Sequence, residues 1–90
     1  MSESVHTILR GRVQGVGFRY FILTRARQLA LSGFTRNLED GTVEVYAEGE
    51  RGVLDEFLRM LAEGPEMARV EDVQSTYGGA RRQIVGFYVR

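Results

Sequence analysis

The chain contains no cysteine, no tryptophan, one histidine and one proline, and all twelve of its basic residues are arginine. Without a thiol there is no disulfide, thiolate nucleophile or cysteine metal ligand. Without lysine there is no Schiff base and no phosphate-loop lysine of the Walker type. His6 is the only imidazole and the carboxylates are scattered, so a built-in zinc or calcium cage lacks a ligand set, and neither a metal nor a cofactor is expected. Arginine, side-chain amides, hydroxyls, carboxylates and backbone N–H groups remain. These suit phosphoryl chemistry, where the protein positions groups and stabilises charge without attacking covalently.

Net charge is also lacking: the formal value is zero and the pI is about 6.6. Backbone binding to nucleic acid normally draws on a cationic surplus, so no nucleic-acid partner is expected. No apolar run approaches the roughly 18 residues of a membrane span. The opening Met1-Ser2-Glu3-Ser4 has neither the basic nor the apolar region of a secretion signal, so no membrane partner and a cytoplasmic location are expected. Ninety residues make one domain, spanning 1–90, and a chain of that size buries about 60–65% of its unfolded surface.

Periodicity divides the chain into seven elements. Residues 5–13 alternate Val5, Thr7, Leu9, Gly11 and Val13 against His6, Ile8, Arg10 and Arg12, the period of a strand. A helix is predicted from about Arg19 to Leu31, with Phe18, Phe21, Ile22, Ala26, Leu29 and Ala30 on its apolar face, the stem of Arg25 at its margin and Ser32-Gly33 as its stop. Phe34–Leu38 and Thr42–Glu48 read as strands joined by a Glu39-Asp40-Gly41 turn. A second helix, from about Arg51 to Ala62, turns Val53, Leu54, Phe57, Leu58 and Leu61 inward and stops at Gly64-Pro65. Arg69–Tyr77 and Ile84–Val89 complete the set as strands, with Gly78-Gly79 in the loop between them. The order βαββαββ, with right-handed crossovers, predicts an α+β, ferredoxin-like two-layer sandwich: βαββαβ plus a C-terminal strand, with both helices on one face of a mostly antiparallel sheet.

The segment Gly11-Arg12-Val13-Gln14-Gly15-Val16-Gly17-Phe18-Arg19 is the chemical centre of this pattern. It takes a strand into a glycine turn and then into a helix that opens on a cation. A helix N-terminus is electropositive and holds unpaired N–H groups, so Arg19 there is disfavoured by about 0.3–1 kcal/mol. A bound phosphate reverses the sign, accepting from the turn N–H groups and from the guanidinium fork. On these nine residues alone, a plain tight turn with a solvent-facing arginine fits equally well, since the glycine spacing is not that of a dinucleotide site.

Two segments resemble the acylphosphatase family. Leu9 to Arg19 matches its first motif at every defining position, and Gly33-Phe34-Thr35-Arg36-Asn37-Leu38-Glu39-Asp40-Gly41-Thr42-Val43, with Gly49 further on, resembles the second. Thr35 departs from the small residue usual in the family; threonine is isosteric with valine and β-prone, so little effect on the strand is expected. The resemblance implies hydrolysis of the carboxyl-phosphate anhydride of a small acyl phosphate to a carboxylate and inorganic phosphate, with no metal or cofactor. It implies a cradle over Gln14, Gly15, Val16, Gly17, Phe18 and Arg19, the phosphate clamped by Arg19, and the attacking water held by Asn37. An amide can donate to and accept from a water, but it is no base. Inorganic phosphate is then product and competitive inhibitor, and a monomer is the simplest state.

Other readings are weighed against this one. His6 sits at the start of the first strand and reads as an exposed strand residue, the Glu39-Asp40-Gly41 turn as hairpin chemistry, and Tyr20 and Tyr46 as surface or edge aromatics. Arg90 is either a frayed end or a support for the phosphate loop. An RNA-binding module of the same fold would need stacking aromatics on its central strands, where only Tyr46 is offered. The remaining alternative is a non-catalytic phosphate or metabolite sensor or accessory module.

Overall fold

Alternating burial builds the first strand: Val5, Thr7 and Leu9 are fully buried, whereas His6 between them is exposed. A computed structural model describes residues 2–90. It comprises β1 (Glu3–Arg12), α1 (Phe18–Gln28), β2 (Ser32–Asn37), β3 (Val43–Gly49), α2 (Arg51–Glu63), β4 (Arg69–Gly79) and β5 (Phe87–Val89). The sheet order is β4-β1-β3-β2-β5, antiparallel throughout except for the parallel β2–β5 pair. Each helix joins two strands that flank a third, α1 passing around β3 and α2 around β1. This is the expected ferredoxin-like sandwich. Among the described residues no helix is long and apolar enough to cross a membrane.

The core lies between the helices and one face of the sheet. Phe18, Ile22 and Ala26 of α1 and Leu54, Phe57 and Leu61 of α2 meet Val5, Leu9, Val43, Val45 and Ala47. Each large apolar side chain so buried contributes about 1.5–3 kcal/mol. Phe57 and Phe87 meet edge-to-face at 6.2 Å, tying β5 to the second helix.

Three boundaries differ from expectation. The stop of α1 comes before Ser32-Gly33: Ala30 takes a left-handed φ of 55°, the Leu31 N–H returns to the Ala26 carbonyl at 2.9 Å and the Ala30 N–H to the Arg27 carbonyl at 3.1 Å. That is a Schellman closure with alanine where glycine is usual. Gly78 and Gly79 belong to β4, not to the loop, because they pair with Ser4 and Glu3 of β1. The segment after them gives its N–H groups to a side chain instead of a strand. Arg81 N–H (2.8 Å) and Arg82 N–H (3.2 Å) donate to the Glu48 carboxylate, and pairing with β2 begins only at Phe87. The predicted strand Ile84–Val89 is thereby shortened to Phe87–Val89.

Candidate active site

The end of β1, the start of α1, the end of β2 and the last strand meet around one cavity of about 340 Å³, lined by Val13, Gly15, Gly17, Phe18, Arg19, Tyr20, Leu23, Asn37 and Val89. Gly15 (φ 72°) and Gly17 (φ 75°) are both left-handed, and a Cβ on either would meet nothing within 4 Å. Conformation, not space, therefore calls for glycine at these positions. A left-handed residue placed before a helix turns successive N–H groups toward one side, the arrangement that forms an anion nest.

These donors are free. Among the described residues, the first backbone hydrogen bond at this end of α1 is Phe21 N–H to the Gly17 carbonyl at 3.1 Å, and the N–H groups of Gly15 to Tyr20 have no carbonyl acceptor. Gly17 caps the helix without a side-chain hydrogen bond, and no acidic residue stands in its first turn. Arg19 is half-buried and forms neither an ion pair nor a side-chain hydrogen bond among the described residues. Phe18 is buried beneath the turn and packs edge-to-face on Phe21 at 5.9 Å, anchoring the loop to the core.

Asn37 reaches the same cavity from β2. Strand alternation puts it on the face of the buried Thr35, toward α1, and its register partner is Val43. Its Oδ1 is buried with no hydrogen-bond partner among the described residues. Native structures rarely leave such an atom unpaired. The turn after Asn37 is closed by Asp40, whose Oδ1 accepts from the Thr42 N–H at 3.0 Å and the Thr42 hydroxyl at 2.6 Å. The Thr42 hydroxyl bond is the leading reason the Asp40 carboxyl lies below its ordinary pKa.

Gln14 and Val16 do not line the cavity. The Gln14 amide instead reaches across to the β2–β3 hairpin, Nε2 donating to the Leu38 carbonyl at 2.8 Å and the Thr42 carbonyl at 2.9 Å. It braces the glycine turn against the strand end that presents Asn37. Sequence reading did not find this brace, because a glutamine's partners depend on tertiary approach. The Thr35 hydroxyl, fully buried, donates to the Glu44 carbonyl at 2.9 Å and leaves the Asn37 amide alone. Arg90 donates its N–H to Thr35 at 2.8 Å, while its guanidinium lies 4.2 Å over the Phe34 ring on the sheet face away from the helices. His6 is on that outer face too, paired with Glu44 at 2.7 Å.

A family model described as acylphosphatase matches residues 5–89. The chain belongs to the acylphosphatase family. An acylphosphatase from Thermus thermophilus is 48% identical over 91% of this chain and 92% of its own length. Another from Chlorobaculum tepidum is 51% identical over 80% of this chain and 78% of its own. The crystal structure of an acylphosphatase from Bacillus subtilis superposes with a TM-score of 0.95 at 34% identity, covering 98% of each chain. The acylphosphatase assignment makes the chain a hydrolase, and it is consistent with a site built from backbone donors, one arginine and one amide.

Proposed function

We propose that this cavity hydrolyses small acyl phosphates, with the free N–H groups of the turn and Arg19 holding the phosphoryl group and Asn37 holding the attacking water. The supporting observation is the coincidence, in one cavity, of unpaired N–H groups, an unpaired guanidinium and an unpaired amide oxygen. Two or three phosphoryl oxygens accept from the donors of Gly15 to Tyr20, and a guanidinium fork takes a further edge. The orphan Asn37 oxygen accepts one hydrogen of the water, which leaves a lone pair of the water oxygen facing phosphorus.

The chemistry asks little of a base. Phosphoryl transfer has a loose transition state and the leaving carboxylate is stable, so charge stabilisation is the main demand. The water oxygen bonds to phosphorus, the bond from phosphorus to the acyl oxygen breaks, and the water's proton passes to a phosphoryl oxygen of the substrate. The products are a carboxylate and inorganic phosphate. Phosphate occupies the same donors as substrate and so inhibits competitively. The protein acts as a monomer in the cytoplasm, with no nucleic acid as partner.

Phosphate release from acetyl phosphate in excess chelator tests the reading. Turnover that persists in chelator and is competitively inhibited by inorganic phosphate is expected. Phosphate binding with no turnover would leave a phosphate-binding module instead of an enzyme, and complete dependence on added magnesium would overturn the metal-free roles.

A further inference from the structure

Phe34 on β2 and Tyr46 on β3 are register partners, and strand alternation turns them away from the buried Thr35 and Val45, onto the sheet face that carries no helix. Their rings stack with centroids 5.9 Å apart, and the Arg90 guanidinium lies 4.2 Å over Phe34. A cross-strand aromatic pair of this kind stabilises a sheet by about 0.2–1 kcal/mol without any ligand. The chain after β4 makes more of it. Held by its backbone on Glu48, that segment runs beside the rings without joining a strand, and Arg81, Gln83 and Ile84 enclose with Phe34, Tyr46 and Glu48 a cavity of about 300 Å³. A cover that only shielded the rings would fill this space, as protein interiors do. None of these six residues lines the catalytic cavity.

The polar groups of the wall are not equally available. The Glu48 carboxylate is occupied, accepting from the Tyr46 hydroxyl and from the Arg81 and Arg82 N–H groups, with the Arg82 charge nearby to offset its own. The Arg81 guanidinium and the Gln83 amide have no side-chain hydrogen bond or ion pair among the described residues. Two aromatic rings and an isoleucine beside a few convergent polar groups have the make-up of a ligand site, and the uncommitted charge in this one is positive.

We infer that this cavity binds a small planar aromatic carboxylate, its ring against Phe34, Tyr46 and Ile84 and its carboxylate on the Arg81 fork, with the Gln83 amide donating beside it. The ring gains by stacking and by leaving water, and the guanidinium matches a carboxylate edge to edge. An aromatic ammonium of the same shape would face Arg81 and find Glu48 already taken, so the site selects by sign as well as by shape. The site lies on the opposite face of the sheet from α1 and does not rest on the phosphate-site reading.

The test is titration with indole-3-acetate, followed by the anisotropy of its own indole fluorescence, which a chain without tryptophan does not obscure. Saturable binding is expected with a dissociation constant at or below about 1 mM, the affinity ordinary for a ligand of this size. Arg81→Gln is expected to weaken it about 10-fold or more, the worth of a hydrogen bond between charged groups. Phe34→Leu is expected to weaken it about 3–10-fold. Both side chains lie outside the core, and an unaltered circular dichroism spectrum and melting temperature confirm the fold of each variant. Inorganic phosphate should leave the binding unchanged, and tryptamine, the cationic counterpart, should bind at least 10-fold more weakly. Absence of saturable binding, displacement by phosphate, equal or tighter binding of tryptamine, or folded variants that bind as the parent does would each overturn the site and leave the catalytic reading untouched.

Discussion

Gln14 Nε2 lies 2.8 Å from the carbonyl oxygen of Leu38, the residue after Asn37, and bridges 24 positions of sequence. The same nitrogen reaches Thr42 at 2.9 Å, so one side chain joins the glycine turn to both ends of the neighbouring hairpin. The turn supplies donors to phosphate and the hairpin presents Asn37, so the brace sets their separation.

Gln14→Ala is therefore expected to lower kcat by about 10- to 100-fold, the cost of misplacing reacting groups by about an ångström. Inhibition by inorganic phosphate should weaken much less, because the donors of Gly15 to Tyr20 remain. Both carbonyls keep a backbone donor, from Gly41 and Leu38, so the stability loss is expected to be about 1 kcal/mol. Steady-state kinetics with phosphate as inhibitor, beside a denaturant melt, separates these effects. An unchanged kcat would remove the brace from the mechanism.

Ala30 holds the left-handed position that closes α1, with φ 55°. Ala30→Gly removes the clash of Cβ in that conformation at the cost of a more flexible unfolded chain. The net gain expected is about 0.5–1 kcal/mol, read as a rise of several degrees in melting temperature. Activity should not change, since Ala30 lies at the far end of the helix from Arg19. A lower melting temperature would contradict the strain.

Glu48 pins residues 81 and 82 against the end of β3. Burial alone would raise its pKa, but the Tyr46 hydroxyl, the Arg81 and Arg82 N–H groups and the Arg82 charge outweigh burial and hold it below its ordinary value. A carboxylate with a lowered folded-state pKa contributes stability that is full above its unfolded value, about 4.3, and is lost as pH falls through the folded value. Glu48→Gln should thus melt lower than the parent near pH 7, by the equivalent of about 1–3 kcal/mol. That gap should close as pH falls below about 4. A gap independent of pH would show that charge on Glu48 is not what holds the strap.

Much of this was legible in the chain. Strand and helix periods, the glycine turn and the acylphosphatase motifs led to the fold and brought Arg19 and Asn37 together before any coordinates, because these signals are local. The errors lie where tertiary partners override local preference. Gly78 and Gly79 read as a loop, yet β1 offers them a full register of partners. Ile84 to Gly86 read as strand, yet Glu48, far away in sequence, captures the backbone just before them. Val89 gave no sign of reaching the cavity because β5 pairs in parallel with β2, a neighbour 54 residues earlier in register. The side-chain bonds of Gln14 to the hairpin went unread because they depend on a tertiary approach that no local signal carries.

The division of labour between Arg19 and Asn37 is open to one direct measurement: kcat for acetyl phosphate and the inhibition constant for inorganic phosphate, in chelator, for the parent, Arg19→Ala and Asn37→Ala. Arg19→Ala is expected to lose about 10²–10³ in kcat/KM and to bind phosphate markedly less well. Asn37→Ala is expected to lose a comparable factor in kcat while its phosphate inhibition stays close to that of the parent. Full turnover by Asn37→Ala with phosphate inhibition unchanged would contradict the water-holding role and, with it, the proposed mechanism.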